Sequence, residues 1–460
     1  MVRFKGSFHL STKSLRQPRT ISRLLALAAV WHIGVVLAVF LVAQAQLAPQ
    51  TFDRNGIGVS FAIDSHYYRI EAEDMAKLLW QGRIRDWAGY NASFHVKLYS
   101  LSFALAGRLV GNNILAAEPL NLLYYLFILA LTYGIAREAF DRNVAVLASA
   151  VVAFWPSLLL HTTQLLRDAL FIPALLLLML SLLVIVNRKL SIERGLLMAV
   201  PGTLGALVVW LCRGDSWEIV VGIIILGAVI FAVAQIKERQ FSVGGTLAIA
   251  LMLLLTVCIP RLVPTYRQSN TLLATSPTHG AGANSRALVP TENPEPPPSR
   301  WDLSRRVGLL RHKFITRYPL AGSNIDTDVE LRDTADVLRY LPRAALIGFF
   351  APFPNSWVKR GEQVGLPGRL MAGAEMLFMY AVMCLAGFAL VKYYRRLSVW
   401  LLLGISSAGC IALGCVVVNI STLYRMRYAY FILIIILGMK GWLAVTSRGG
   451  EQRASVVELA

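Results

Sequence analysis

The stretch from Ala169 to Asn187, ALFIPALLLLMLSLLVIVN, is followed at once by Arg188 and Lys189. As a helix it would be about as long as the ~30 Å hydrocarbon core of a bilayer is thick. Apolar runs of the same kind recur at 21–45, 112–136, 144–162, 196–212, 217–236, 243–260, 367–391, 398–418 and 428–446, separated mostly by short basic clusters. About ten such runs predict an all-α polytopic membrane protein, because a helix satisfies its own backbone hydrogen bonds where no water is available. Composition agrees. Of 460 residues, 56% are hydrophobic and 15% charged, whereas a soluble domain carries about 25% charged residues.

The same inventory excludes several classes. The 45 Lys and Arg against 26 Asp and Glu leave a net charge of +19, but in a membrane protein such an excess orients helices and meets lipid phosphates, so nucleic acid is not an expected partner. Cys212, Cys258, Cys384, Cys410 and Cys415 fall in or beside apolar runs, which gives neither a disulfide framework nor zinc-ligand spacing. The seven histidines include no HExxH and no pair at i, i+4. Glycine-rich phosphate loops are absent, and so is any internal repeat.

Charge sets the topology. Residues 1–20 form a basic N-terminus; through residue 23 the basic side chains are Arg3, Lys5, Lys13, Arg16, Arg19 and Arg23, with no acid among them. That segment is expected to stay in the cytoplasm. Ala43-Gln44-Ala45 resembles a signal-peptidase site, yet the preceding apolar stretch is longer than a signal h-region, so an uncleaved anchor is expected. Placing the N-terminus inside puts Arg137 and Arg142, Arg188 to Arg194, Lys237 and Arg239, and Lys392 to Arg396 on the cytoplasmic side. A transmembrane bundle then occupies 21–260 with seven spans, and three C-terminal spans occupy 367–446, followed by a cytoplasmic tail at 447–460. Two large loops fall outside, 46–111 and 261–366. Within the second, 265–300 reads as a flexible Pro-rich linker and 301–357 as interfacial helices. Leu303, Val307, Leu310 and Phe314 form an apolar stripe among Arg305, Arg306, Arg311, His312, Lys313 and Arg317, a pattern suited to lying on anionic lipid. The segment Leu341 to Trp357, broken by Pro342, Pro352 and Pro354, reads as interfacial or re-entrant.

Three groups of residues can carry chemistry. In the first loop, Asp64-Ser65-His66 opens a helix whose Tyr68, Ala72, Met75 and Leu79 make an apolar stripe, expected to lie along the membrane surface. Asp64 suits either a helix cap or a general base held at the membrane plane. Arg167-Asp168 opens the fourth span; the pair reads as a snorkelling contact or as an arginine gripping phosphate beside an orienting carboxylate. Arg213, Asp215 and Glu218 occupy the next short turn and read as an interfacial cap. Finally, Tyr424-Arg425-Met426-Arg427-Tyr428 lies outside, where positive-inside statistics disfavour two arginines. Headgroup contact explains them, and so does a socket in which planar guanidinium groups bind a lipid-linked phosphate.

Taken together, Asp64, the stretches Gly89 to Gly111, Asn112 to Phe140 and Ala145 to Pro156, Arg167-Asp168, and the turn Leu423 to Tyr428 resemble the polytopic type C glycosyltransferases, in the manner of bacterial dolichyl-phosphate-mannose-protein mannosyltransferases. The resemblance covers mainly residues 20–190, with a thinner match at 420–446. It implies an inverting transfer from a polyprenyl-phosphate carrier, in which an acid of the first loop activates the acceptor; that role falls on Asp64. Arg167, Arg425, Arg427 and Tyr424 are then the donor-phosphate residues, with Asp168 and His66 in support. Asp64 is followed by Ser65-His66 and not by a second acid, which leaves open whether a divalent cation takes part.

The expected function is therefore transfer of a sugar from a polyprenyl-phosphate carrier to an extracytoplasmic glycan, lipid or protein in cell-envelope assembly, such as polysaccharide biosynthesis at a bacterial inner membrane. An O-antigen-type polymerase or ligase is the alternative, in which Arg305, Arg306, Arg311 and His312 would hold lipid pyrophosphate. A lipid or solute transporter would need ionisable groups near the middle of spans, and the runs read as Leu, Ile, Val and Ala with charges at their ends.

Overall fold

The apolar runs are helices in the computed structural model, which describes residues 19–49, 51–53, 58–263, 302–317, 319, 321–359, 361 and 364–457. Most of the basic N-terminus (1–18), the linker 265–300 and the last residues of the tail (458–460) lie outside the described residues. The chain enters as α1 (Arg19–Gln44), forms a short antiparallel hairpin of β1 (Phe52–Asp53) and β2 (Gly58–Val59), and continues through α2 (Ile63–Trp80), α3 (Ile84–Gly89) and α4 (Phe94–Val110). Next come α5 (Ile114–Ala139), α6 (Arg142–Ala153), α7 (Pro156–Thr162), α8 (Asp168–Asn187), α9 (Ile192–Cys212), α10 (Trp217–Glu238) and α11 (Val243–Leu262). After the linker the elements are α12 (Leu303–Arg317), α13 (Thr334–Phe350), α14 (Gly365–Tyr393), α15 (Leu397–Val416), α16 (Ile420–Met426) and α17 (Tyr428–Val457). Among the described residues nine helices are long and apolar enough to cross a membrane, and the count is ten when the bent pair α6 and α7 is taken as one span. The protein is an all-α polytopic membrane protein.

The run 144–162, read as one span, is bent. Its halves meet at 65°, because Pro156 supplies no N–H and pushes the preceding residue out of the helical region; Trp155 is extended, with φ −73° and ψ 110°. The pair still traverses the bundle. At its start Arg142 donates to Thr20 of α1 at 2.6 Å, and Asp141 pairs with Lys440 at 2.8 Å. The same end holds the Arg188–Glu138 pair, Ser398 Oγ on Asn187 at 2.9 Å and Lys237 Nζ on the Arg395 carbonyl at 2.9 Å. All the short basic connections thus gather at one end, and the chain leaving α7 reaches Asp168 at the other.

α17 is the central post. Tyr428 to Leu437 are each 3% exposed or less, as expected of a helix apolar on every face. It packs tightly on α14: a Cβ at Gly441 would sit 1.9 Å from the Leu385 carbonyl oxygen, the small-residue contact that lets membrane helices approach closely. At the far end, the apolar stripe of α2 packs on α4, where Tyr68, Ala72 and Met75 are buried with Val96, Tyr99 and Phe103. α12 is not simply a lipid-lying helix. Arg311 points inward, 2% exposed, and donates to the carbonyls of Val329 at 3.1 Å, Cys415 at 2.9 Å and Asp326 at 2.5 Å. α13 runs unbroken through Pro342 and packs against α15.

Candidate active site

Asp64 lies in the first turn of α2, where the helix N-terminus favours negative charge. It does not cap the helix; Ala62 holds that position and no side chain caps it. The next residue, Ser65, accepts from the backbone N–H of Leu165 at 3.2 Å, so the start of α2 is tied to the segment between α7 and α8. That segment is held from two more sides. Tyr99 donates to the carbonyl of Leu166 at 3.3 Å, and Gln164 Oε1 accepts from Val59 N of the hairpin at 3.2 Å. Gly58, at φ +93°, is required there, since a Cβ would meet Gln164 at 2.2 Å.

Immediately beyond, Arg167 and Asp168 begin α8. Asp168 is 2% exposed and forms a very close ion pair with Arg213, the residue that closes α9. From the C-terminal third of the chain, α16 brings Arg425 between the two acids: Nη2 is 3.2 Å from Asp64 Oδ2 and Nη1 is 3.8 Å from Asp168 Oδ2. Side chains of four separate elements thus meet in one place. Three guanidinium groups face Asp64 and Asp168, and Asp215 of the turn after α9 acts on Arg167 from a longer range.

The surroundings shift the three guanidinium groups in different directions, and all three stay charged. Burial opposes the charge of Arg425, but Asp168 and Asp64 outweigh it and raise its pKa. Arg167 is raised too, burial being outweighed by Tyr68, Asp64 and Asp168. Burial and then the like charge of Arg167 push Arg213 down, against the pull of Asp168. Arg167 makes no side-chain hydrogen bond or ion pair among the described residues.

Not every expected residue comes to this cluster. Arg427 is 1% exposed and turned away: it donates to the Gly348 carbonyl at 3.2 Å and lies against the rings of Phe431 and Tyr424, 4.3 and 5.0 Å from their centroids. The hydroxyl of Tyr424 donates to Glu375, also away from Arg425. His66 stands edge-on to Tyr67, with centroids 5.7 Å apart, and contacts none of the five charged groups. Two residues in from Asp64 or Arg425 is nearly the opposite side of a helix with 3.6 residues per turn, which explains both departures. Conversely, Arg213, read from the sequence as an interfacial cap, is the partner of Asp168.

Glu375 was also missed, although a single acid inside the apolar run 367–391 is a legible signal. It is 8% exposed and accepts from Trp155 Nε1 at 3.0 Å, Ser157 N at 2.8 Å, Ser157 Oγ at 2.6 Å and the Tyr424 hydroxyl. His32 is similar, in α1, bound to Glu118 at 2.8 Å and Thr162 at 3.1 Å. Contrary to the sequence reading, the spans do carry interior ionisable groups, but Glu375 and His32 have partners on neighbouring helices.

Asp64 and Asp168 both face guanidinium groups, and among the described residues no three His, Cys, Asp or Glu side chains converge.

No protein-family model and no curated protein matches the chain. Among solved structures it is similar to archaeal oligosaccharyltransferase AglB from Archaeoglobus fulgidus in complex with an inhibitory peptide and a dolichol-phosphate, with 13% identity over 92% of this chain and a TM-score of 0.46. It is also similar to the apo form of the Archaeoglobus fulgidus oligosaccharyltransferase, with 12% identity over 94% of this chain and a TM-score of 0.43. The chain spans about half the length of each, 51% and 52%.

Proposed function

We propose that this protein is a membrane glycosyltransferase that moves a sugar from a polyprenyl-phosphate carrier to an extracytoplasmic acceptor with inversion at the anomeric carbon. The observation that carries the reading is the 3.2 Å pair of Asp64 and Arg425, 361 residues apart in the chain, beside Arg167, which makes no side-chain hydrogen bond or ion pair among the described residues. A carboxylate beside guanidinium groups offers a proton acceptor and an anion receptor in one place. The gathering of basic connections at the opposite end supports an extracytoplasmic position for this one.

In the proposed reaction the donor phosphate docks on Arg167 and Arg425. Its oxygens take over the guanidinium N–H groups that Asp64 holds when no donor is bound, and the carboxylate is released in place. The acceptor hydroxyl oxygen then attacks C1 of the sugar while its proton passes to Asp64. The C1–O bond to phosphate breaks with its electron pair going to the phosphate oxygen, and polyprenyl phosphate departs from the opposite face. General-base help of this kind contributes about 10²- to 10⁴-fold, and each well-placed donor to the leaving oxyanion about 3–4 kcal/mol.

Two features favour transfer over the other readings. The arginines of α12 on which a polymerase or ligase would draw are engaged by the protein: Arg311 by three carbonyls and Arg306 by Glu218. The interior ionisable groups a transporter would use are paired across helices. The test is transfer by the purified, reconstituted protein from a polyprenyl-phosphate sugar to envelope glycan, lipid and peptide acceptors. Asp64→Asn, with normal yield and thermal stability, is expected to lose at least about 10²-fold in kcat; full activity in that variant removes Asp64 from the mechanism.

A further inference from the structure

At the end of the bundle opposite Asp64, a cavity of about 250 Å³ opens between the connection from α8 to α9 and the connection from α10 to α11. Its walls are set by backbone contact. A Cβ at Gly195 would lie 2.1 Å from the Gly244 carbonyl oxygen, and one at Gly244 would lie 2.4 Å from that of Leu190, so the starts of α9 and α11 touch directly. Ser242 N donates to Gln235 Oε1 at 2.9 Å, which folds the second connection back onto α10. Arg188 Nε donates to Glu138 at 3.0 Å, which holds the first connection on α5. The space is therefore a recess between braced walls.

Pockets for drug-sized molecules begin at about 300 Å³, so this one has room for a headgroup and not for a whole lipid. Its lining carries three charged side chains, Arg188, Lys189 and Glu238, and Arg188 is taken by Glu138. Lys189 and Glu238 are exposed. Among the described residues neither side chain makes a hydrogen bond or ion pair, so they stand on the recess too far apart to neutralise each other. A bare anion here would meet Glu238, and a bare cation would meet Lys189. A zwitterion answers both. Ile192, Phe241 and Val243 line the same cavity and are exposed, Phe241 by 72%, at the ends of membrane-spanning helices. Apolar side chains beside opposite charges at that depth match the boundary where acyl chains meet headgroups. The positive group of the occupant is restricted as well. A primary ammonium gives N–H bonds that the Glu238 carboxylate and the Gln240 amide oxygen accept. A quaternary ammonium gives none and is held by cages of aromatic rings, of which this lining has two, Phe231 and Phe241.

We infer that this cavity binds the headgroup of an aminophospholipid, with its phosphodiester on Lys189, its primary ammonium on Glu238, and its acyl chains along Ile192, Phe241 and Val243. The site lies at the far end of α8 from Asp168 and does not depend on the transfer reading.

The purified protein is titrated with palmitoyl-oleoyl phosphatidylethanolamine, with the matching phosphatidylcholine and phosphatidylglycerol, and with free phosphoethanolamine. Bound lipid is counted by native mass spectrometry, and thermal unfolding is followed alongside. Wild type is expected to bind phosphatidylethanolamine about tenfold more tightly than the other two lipids and to gain Tm with it. Lys189→Gln and Glu238→Gln change exposed side chains, so both are expected to unfold like wild type without lipid. Each should bind phosphatidylethanolamine about tenfold more weakly, and Glu238→Gln should bind phosphatidylglycerol more tightly than wild type does. Equal binding of the three lipids, or variants indistinguishable from wild type, would show ordinary boundary lipid and overturn the assignment. A preference for phosphatidylglycerol that Lys189→Gln abolishes and Glu238→Gln leaves unchanged would overturn it in favour of an anionic lipid. Free phosphoethanolamine binding as tightly as the lipid would overturn the assignment to a membrane component. The lipid selectivity of wild type decides the matter where a variant fails to fold.

Discussion

Replacing Arg425 by glutamine separates what the cluster does for folding from what it does for chemistry. The side chains of Arg425 and Asp64 keep 15% and 19% of their exposure, and their contact is 3.2 Å. A partly exposed pair of that kind contributes about 1 kcal/mol or less. The second contact, to Asp168, is longer at 3.8 Å, and Asp168 retains Arg213 when Arg425 is gone. The stability loss is therefore about 1 kcal/mol. For the reaction the loss is larger, because Arg425 is proposed to meet charge that develops on the leaving phosphate. Removing one such donor costs roughly 3–4 kcal/mol, or about 10²- to 10³-fold in kcat. Arg425→Lys keeps the charge but not the two nitrogens that reach both carboxylates, and falls between. Initial rates of sugar transfer at saturating donor, set beside thermal unfolding of the same preparations, check this. If Arg425→Gln turns over within about threefold of wild type, less than 1 kcal/mol of barrier, Arg425 does not meet the phosphate and the mechanism as drawn is wrong.

Three further outcomes follow from the same geometry. Arg213→Met strands Asp168, 2% exposed, with only the 3.8 Å contact to Arg425; breaking a buried pair in this way costs about 3–5 kcal/mol, so this variant should lose stability far more than Arg425→Gln in the same unfolding assay. Glu375→Ala leaves Trp155 Nε1, Ser157 N, Ser157 Oγ and the Tyr424 hydroxyl without their common acceptor. At about 1–3 kcal/mol per stranded group, the yield of folded protein should collapse, while Tyr424→Phe, which removes one donor, should fold. His95, buried in α4, gives a pH dependence. Burial, and then Arg167, lower its folded pKa to about 3, below the unfolded value of about 6.5, so between those values the unfolded chain binds a proton that the folded protein refuses, and stability falls as pH drops below about 6.5. The loss attributable to His95 is roughly 2 kcal/mol at pH 5, and His95→Gln should flatten that part of the profile measured against wild type; parallel profiles would show that His95 is not buried neutral.

How far the sequence alone leads depends on whether a property is local. Membrane helices are spelled out locally, since lipid demands an uninterrupted apolar run and charge fixes the direction of each crossing. That is why the fold class and nearly every span were legible, and why the bend in 144–162 lies where Pro156 acts on a single turn. The polar groups Asp64, Arg167, Asp168 and Arg425 could be singled out because each stands at the edge of an apolar run. Pairing is not local. Arg213 looked like a cap because nothing in its own turn reveals that α8 and α9 pack side by side and bring Asp168 to it. Arg425 and Arg427 look equivalent in a short basic motif, but they are two residues apart, and helical phase sends one to Asp64 and the other to Gly348.

The placement of Arg425 shows why so much of the outer structure is devoted to one short helix. α16 has seven residues, too few to hold itself. Three independent ties hold it instead. Asn419 caps its start, accepting from Thr422 N at 3.0 Å while donating to Ser323 at 2.9 Å and Asn324 at 3.0 Å, and so ties it to the second outer segment. Tyr424 ties it through Glu375 to Trp155 and Ser157 at the break between α6 and α7. Arg425 itself provides the third tie, to Asp64 on α2. In the proposed reaction only this last contact competes with an incoming phosphate, because only it consists of guanidinium N–H groups that a better anion can claim. The other two hold α16 still during that exchange. An arginine on a loosely held loop would follow the phosphate and leave the carboxylate in an undefined position, whereas here the exchange changes the partner of Asp64 without moving the helix that carries Arg425. Breaking the bend at Pro156 into two helices is then part of the same device, since a straight span would carry Trp155 and Ser157 away from Glu375 and leave α16 with one tie fewer.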